Sequence, residues 1–520
     1  MDLLDQAREF LKAHEYSVED KDRDLLVAEH AGLGRGKERI CVWVSTRENR
    51  ADRQQLALQT EYLKRFQGLA SKYHGARLYF LVDTMEGFLA EFRSESYRDF
   101  GVTIQVPAWF FDLPFRHEDA RSAATAIREL LTTAKEVDKR RVPQNYEGPD
   151  ARIEGVDLVQ DLARVIASET TKQNPKVWVI AAPAGQGKTV VFNSLFMHLQ
   201  ERFAEQKKKQ LVCPRPLPML PQHLQGAAGR NIRGLIDAFL QTDIAMPTPR
   251  RLFDWMIDNR YGLLMLDGLD ELIAGDPDFI PYLEDRITAP QSAPLFVLCV
   301  RDSLLHSCEA LADFLDYYNS AVELWRLKPW SESAQRTFAW FKLEGRAAKP
   351  GEHDSARIAQ FLQQKKVSPV LNRLASLPFF LEQMLDVFKG DPNLAGLHDE
   401  LGLLDVAVRQ MCMREYGKGV LREDLLPLAG FTDWLEDLAV LRYELGGVPT
   451  SELRVLAELL PALATRELSE DETLSMTTQI TMAPFLRGGA ISGQVEFAHE
   501  ILADYLAARR FAQEFNRASP

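Results

Sequence analysis

Val177-Trp178-Val179-Ile180-Ala181-Ala182-Pro183-Ala184-Gly185-Gln186-Gly187-Lys188-Thr189 is an apolar run that breaks into a glycine-containing turn, and a helical pattern follows it. Strand, turn and helix in that order, with Gly-Lys-Thr at the junction, spell a cradle for a nucleoside triphosphate. The physical reason is that successive backbone N–H groups at a helix start point at a polyanion, and a Cβ at Gly185 or Gly187 would block its close approach. In this reading Ala182, Pro183, Ala184, Gly185, Gln186, Gly187, Lys188, Thr189 and Val190 form the phosphate-binding turn. Lys188 neutralises the β and γ oxygens, and the Thr189 hydroxyl holds Mg²⁺. Ala182 stands where the usual pattern has its first glycine.

A second half of the site is expected downstream. Tyr261 to Leu272 reads YGLLMLDGLDEL, in which Leu263 to Leu266 has the composition of a fully buried strand ending abruptly in Asp267. Asp267 at that strand tip orients the water shell of Mg²⁺, and Asp270 and Glu271 add an acidic pair that polarises the attacking water. A third strand, Pro294 to Val300, delivers Arg301 to the same sheet edge, where an arginine touches a γ-phosphate. Glu271, Asp270 and Arg301 are thus the candidate catalytic residues, and Thr189 and Asp267 the candidate metal ligands.

LLMLDGLDE resembles the second motif of NACHT domains, the signal-transduction NTPases that include animal inflammasome receptors and many bacterial defence proteins. Further segments carry the resemblance. Leu217-Pro218-Met219-Leu220-Pro221 with Asn231-Ile232-Arg233-Gly234-Leu235-Ile236 is similar to the family's second strand and following helix, and Glu323 to Phe341 to its last core strand and first helical subdomain. Ala375-Ser376-Leu377-Pro378-Phe379-Phe380 resembles the GxP-type segment whose proline packs on adenine, with Ser376 in place of the glycine. Phe497-Ala498-His499, followed by Asp504-Tyr505-Leu506-Ala507-Ala508, resembles the winged-helix segment whose histidine reaches the β-phosphate of ADP, with Asp504 where Glu is usual. The resemblance implies ATP/ADP and Mg²⁺ as cofactors, with Pro378 and His499 among the residues that hold the nucleotide.

The 520 residues give room for about three or four domains by the usual size prior, and 46% apolar with 26% charged residues is ordinary globular composition. No apolar run approaches the ~20 residues needed to span a bilayer, and the acidic, amphipathic MDLLDQAREF is unlike a signal peptide, so a cytoplasmic protein with no membrane partner is expected. Cys41, Cys213, Cys299, Cys308 and Cys412 are scattered without CxxC spacing and read as reduced residues, Cys41 and Cys299 in apolar strand-like runs. A net charge of −13 gives no global field favouring nucleic acid, and Lys207-Lys208-Lys209 and Lys139-Arg140-Arg141 read as solvated runs.

The expected organisation is an N-terminal mixed α/β module over 1–138, a polar linker over 139–151, a P-loop NTPase core with a parallel sheet over 152–328, a helical subdomain over 329–419 and a winged-helix domain over 420–520. Within the first, a helix is expected at Leu3 to His14, strands near Leu25 to Glu29 and Ile40 to Ser45, a long helix from Arg53 to Tyr73, a strand Ala76 to Val82 and a β-rich stretch from Val102 to Phe111. That order resembles the restriction-endonuclease-like fold, in which an Asp on one strand and an E-x-K on the next bind a metal. Asp24 matches the first position, but Val42-Trp43-Val44-Ser45 occupies the second, leaving only Glu29 as a partial substitute, so nuclease chemistry is not expected.

Together these features imply a slow ATPase acting as a nucleotide-gated switch that self-associates on activation, in bacterial antiphage defence or signalling, with an unknown trigger or effector protein. No leucine-rich, TPR or WD-type sensor array is expected after the winged-helix segment, so the trigger is expected to be read by that lobe, by the N-terminal module or by a separate protein. An alternative is a nucleotide-dependent adaptor in a multi-protein complex, acting on DNA through its N-terminal module.

Overall fold

Among the described residues of this computed structural model there are three sheets, one in the N-terminal segment, one around the strand that enters the glycine turn, and a small one near the C-terminus. The structure describes residues 3–32, 36–44, 64–65, 67–73, 76–81, 102–105, 130–138, 141–149, 154–155, 157–169, 174–183, 185–209, 213–219, 232–240, 250–268, 278–289, 292–302, 304–346, 353–366, 368–390, 404–405, 408–409, 412–413, 416, 428–445, 448–449, 486–488, 494–497 and 500–518.

Helix α1 (Leu3–Ala13) buries Ala7, Phe10 and Leu11, spaced to share one face. Strands β1 (Ser17–Asp22), β2 (Leu25–Gly32) and β3 (Gly36–Val44) form an antiparallel meander, which β4 (Arg77–Leu81) and β5 (Val102–Gln105) extend in parallel. Strand β1 corrects the expected element order. SVEDKD has no apolar alternation, yet it pairs with β2 as a largely exposed edge strand, where charged side chains stay solvated and discourage pairing with another chain. Of the helix expected over 53–73, residues 64–65 and 67–72 are described and helical; the stretch expected beyond Gln105 lies outside the described residues.

The NTPase core follows as β6 (Tyr146–Glu147), β7 (Glu154–Gly155), α2 (Leu158–Glu169), β8 (Lys176–Ala182), α3 (Lys188–Lys208), β9 (Arg215–Met219), α4 (Ile232–Leu240), α5 (Arg250–Asp258), β10 (Gly262–Leu266), α6 (Phe279–Thr288), β11 (Leu295–Arg301), α7 (Leu304–Ser307), α8 (Glu309–Tyr317) and β12 (Val322–Leu327). The sheet order is β7-β6-β12-β8-β11-β10-β9, in which β12, β8, β11, β10 and β9 are parallel. Helices cover both faces, which is why β8, β10 and β11 are near-continuous apolar runs with almost every residue buried. From β8 the neighbours lie in opposite directions along the sheet, β11 on one side and β12 on the other. Such a switch point opens a crevice at the carboxyl ends of the strands.

The connector expected over 139–151 is, from Arg141 to Glu147, part of this core. Arg141 donates to both oxygens of Asp157 at 2.6 and 3.1 Å and to Asp138 at 2.9 Å, and Tyr146 and Glu147 pair antiparallel with β12. The run Lys139-Arg140-Arg141 reads as solvated charge by sequence alone because Asp157, the acid that takes both ends of the Arg141 fork, lies sixteen residues away. The N-terminal sheet is also docked rather than tethered. Leu26, Ala28, Val42 and Val44 share one apolar cluster with Phe10 of α1 and with Leu252, Trp255 and Met256 of α5. Phe10 meets Trp255 edge-on at 5.3 Å, Trp255 stacks on Tyr261 at 5.2 Å, and the Tyr261 hydroxyl donates to Gln6 at 3.0 Å.

After the core come α9 (Glu332–Glu344), α10 (Ala356–Lys365), α11 (Pro369–Leu374) and α12 (Pro378–Gly390), packed around Trp340, Phe361, Met384 and Phe388. Ser331 caps α9 by accepting from Ala334 N, and Gly345 closes it at φ 70°. Helices α13 (Leu428–Leu445) and α14 (Glu500–Ala518) pack together beside a three-stranded antiparallel sheet, β13 (Val448–Pro449), β15 (Gln494–Phe497) and β14 (Leu486–Gly488), in that spatial order. The expected fold class holds: a P-loop parallel-sheet core with a C-terminal helical subdomain and winged-helix domain, plus an N-terminal mixed α/β module. No disulfide joins the five cysteines, and burial pushes the Cys41 thiol up to about 11. No helix among the described residues is long and apolar enough to cross a membrane.

Candidate functional site

The glycine turn sits at the carboxyl end of β8. Gly185 and Gly187 adopt φ of 77° and 93°, left-handed conformations that glycine takes without Cβ strain, and α3 begins immediately, with Val191 N donating to Gly187 O at 3.0 Å. The loop is closely flanked on two sides. A Cβ on Gly185 would stand 3.1 Å from Phe379 Cβ, and one on Gly187 would stand 2.8 Å from Gln144 Nε2. Lys188 Nζ donates to the carbonyls of Ala182 at 2.7 Å and Pro183 at 3.4 Å, folding the ammonium back over its own turn. Thr189 is exposed, Val190 and Pro183 are half-buried, and Ala182 is buried at the end of its strand.

Strands β8, β11 and β10 run parallel, so their carboxyl tips share one edge. One strand separates β8 from β10, which puts the two tips about 10 Å apart at ~4.8 Å per strand. Asp267 immediately follows β10 and is buried; its amide donates to Met219 O at 3.2 Å and its Oδ1 accepts from Gly268 N at 3.0 Å. Arg301 ends the intervening strand, buried and paired in register with Ala182, and Asp302 N donates to Ala182 O at 3.1 Å. The structure thus brings Lys188, Thr189, Asp267 and Arg301 to one sheet edge. Ala184, Asp270, Glu271 and His499 lie outside the described residues. Pro378 opens α12, where its missing N–H is no loss, and its neighbour Phe379 is the side chain that meets Gly185.

These residues fit a nucleoside phosphate. The turn has no room for a Cβ at Gly185 or Gly187, a lysine lies within it, and two buried carboxamides at it have atoms without a hydrogen-bond partner: Gln186 Oε1 and Nε2, and Gln144 Oε1. At the turn these atoms are available to a bound polar group. Sequence reasoning missed Gln144, which sits in the connector with no motif around it, and gave Phe379 no role although it lies next to Pro378. Only the fold brings both to the turn.

The acids of the N-terminal sheet are arranged differently. Asp24 is buried and accepts from Trp43 Nε1 at 2.8 Å and from Arg65, whose guanidinium lies 4.5 Å over the Trp43 ring. Glu29 accepts from Arg39 Nε at 2.6 Å. Each carboxylate is held by its own arginine, and no cluster of three metal-ligating side chains occurs among the described residues.

No family model matches the chain, and no curated protein matches it. Among solved structures it is similar to the Aeropyrum pernix ORC2 protein in ADPNP-ADP complexes, at 12% identity with a TM-score of 0.35, covering 68% of this chain and 94% of that one. It is likewise similar to Cdc6p from Pyrobaculum aerophilum, at 12% identity with a TM-score of 0.29, covering 68% of this chain and 93% of that one.

Proposed function

We propose that the chain is an ATP/ADP-gated switch of the NACHT type, with slow ATPase activity that resets it. One observation carries the reading. The glycine turn with Lys188 shares a sheet edge with Asp267, and the same turn is touched by Phe379, a residue packed against the apolar core of the C-terminal lobe. A ligand seated on the turn therefore lies between two lobes, and its differential affinity for their closed and separated arrangements sets their populations.

The roles follow from chemistry. Main-chain N–H groups from Gly185 to Thr189 hold the phosphates, Lys188 leaves its loop carbonyls to neutralise them, and Thr189 with Asp267 holds Mg²⁺, which offsets charge on the phosphate oxygens. Arg301 meets the γ-phosphate, and Asp270 or Glu271 positions water. Pro378 and His499 close on the nucleotide from the C-terminal side. Opening exposes surface for self-association, and a trigger or effector protein acts on that form in defence or signalling. The N-terminal module serves partner or nucleic-acid binding without hydrolysis, because Asp24 and Glu29 are each neutralised by an arginine.

Lys188→Ala tests the site. Nucleotide binding measured by calorimetry should be lost while the melting profile of the unliganded protein is kept. Undiminished affinity in a folded variant refutes the reading.

A further inference from the structure

We propose that Lys365 is a positioning residue for nucleotide release: its buried amine fixes the link between the NTPase core and the helical subdomain, and through that link holds Phe379 against Gly185. The inference rests on the nucleotide site proposed above. Lys365 ends α10 at 0% exposure, in a subdomain whose core is apolar. Its Nζ donates to Gln335 Oε1 of α9 at 2.5 Å and to Asn372 Oδ1 of α11 at 3.1 Å. Among the described residues no carboxylate pairs with it, since Glu332, whose charge does act on it, is drawn to Lys366 at 3.1 Å. Burial accordingly pushes the amine below its ordinary value, against a smaller pull upward from Glu332.

Packing does not explain a lysine in that place. A methionine of similar length would fill the space without a buried cation, and apolar replacements of buried charge are often neutral or stabilising. What the amine adds is a donor-only group with acceptors on two neighbouring helices, which pins α9, α10 and α11 in one arrangement.

That arrangement reaches the phosphate turn through a continuous set of bonds. With Oε1 facing Lys365, the other end of the Gln335 carboxamide donates to Trp330 O at 3.0 Å. Trp330 N donates to Ser376 O at 2.8 Å, and Ser376 closes the end of α11 by donating from its N and Oγ to Arg373 O at 3.1 and 2.7 Å. Two residues on, Pro378 opens α12, and Phe379 stands against Gly185. The same link is tied to the core at its start, where Lys328 N donates to Asn145 O at 2.9 Å. Residues 328–331 are therefore bonded at one end to the connector and at the other to the corner that carries Phe379. Lys365, through Gln335, holds that second end. Removing the amine leaves Gln335 Oε1 and Asn372 Oδ1 without a donor, a destabilising state that opening of the corner relieves. Opening carries Phe379 away from the turn.

A double-mutant cycle on the full chain tests this, with release of a fluorescent ADP followed by stopped flow. Lys365→Met should quicken release about five- to tenfold, within the cost of orphaned acceptors, and leave association unchanged. In a Phe379→Ala background the same substitution should alter release by less than about twofold, because residues that act through one contact are not additive. A lysine that only stabilises its own subdomain would quicken release by the same factor in both backgrounds. That additivity overturns the proposal, as does unaltered release in a folded Lys365→Met. Asn372→Leu, which removes one acceptor at a half-buried position, runs the same cycle if Lys365→Met does not fold; its smaller acceleration should also vanish in Phe379→Ala, and additivity there overturns the proposal equally. A wild-type chain that binds no ADP overturns the nucleotide site and this inference together, whereas additive effects in an ADP-binding protein overturn this inference alone.

Discussion

Phe379→Ala isolates the contact between the phosphate turn and the C-terminal lobe. Phe379 is half-buried, meets Phe380 edge-on at 5.5 Å, packs against the cluster that includes Phe431, Trp434, Leu486 and Phe497, and lies against Gly185. Truncating a fully buried phenylalanine costs about 3–5 kcal/mol, and since much of this half-buried ring packs within its own lobe, roughly 2 kcal/mol is an upper bound on what it adds to closure on the turn. Because 1.4 kcal/mol is a factor of ten, the closed population should fall by up to about thirtyfold relative to the open one. Alanine keeps the Cβ nearest Gly185, so the turn is not repacked and the effect reports the ring. Stopped-flow release of a fluorescent ADP should then quicken by up to about thirtyfold, with little change in the association rate. A release rate within twofold of wild type, in a variant that melts normally, would show that Phe379 does not latch the lobes.

Asp267→Asn should abolish the Mg²⁺ dependence of ATP binding and hydrolysis while leaving ADP affinity nearly intact, as read by titration with and without chelator. Arg141→Met leaves the Asp157 and Asp138 carboxylates without their cation in a largely buried position, a loss of about 3–5 kcal/mol, and should lower the melting midpoint of the core by several degrees. Glu436 is fully buried between α13 and α14, and burial holds its carboxyl above the ordinary value of 4.5 despite Arg509. Folding therefore shifts this group toward its neutral form relative to the unfolded chain. Stability from this group is present below 4.5 and is lost as pH rises through the raised value, so Glu436→Gln should remove that decline in melting curves taken across the range.

What the sequence makes legible is what short-range pattern determines. The apolar runs at 177–182, 263–266 and 295–300 are buried on both faces, so their type and ends are written in composition, and the glycines at 185 and 187 carry the positive φ their turn requires. Strand β1 escaped because an edge strand owes its pairing to β2 and not to its own charged residues. The connector escaped for a related reason: the cation in Lys139-Arg140-Arg141 that matters is chosen by Asp157, sixteen residues away, and burial of Gln144 follows from that pairing. Nothing local distinguishes Gln144 from a solvated glutamine. The insertion of β11 between β8 and β10, which spaces Asp267 from Lys188 and puts Arg301 opposite Ala182, is likewise a property of sheet order alone.

The two lobes flanking the core are unequally attached, and this decides which of them a nucleotide can move. Leu252, Trp255 and Met256 of α5 are almost completely buried under the N-terminal module, and at roughly 1.5–3 kcal/mol for each large apolar side chain their exposure would cost about 5–9 kcal/mol as an upper bound. Shifting a two-state equilibrium from one extreme to the other takes only about 5.5 kcal/mol of differential binding. A ligand that dislodged the module would spend its whole discrimination there. The C-terminal side meets the described core through the half-buried Phe379, through the short α7 beside β14 and β15, and through Val142, buried among Trp330, Trp340 and Leu371. Strand β15 ends at Phe497, two residues before His499 in the sequence. In the switch proposed above, the C-terminal lobe is the part expected to move, and the N-terminal module, joined through Tyr261 to the strand that bears Asp267, to stay with the core. Cross-linking Gln6 to Tyr261 through cysteines should leave nucleotide exchange unaltered, whereas a cross-link from Leu305 to Leu486 should block it; exchange stopped by the first and spared by the second would reverse the assignment.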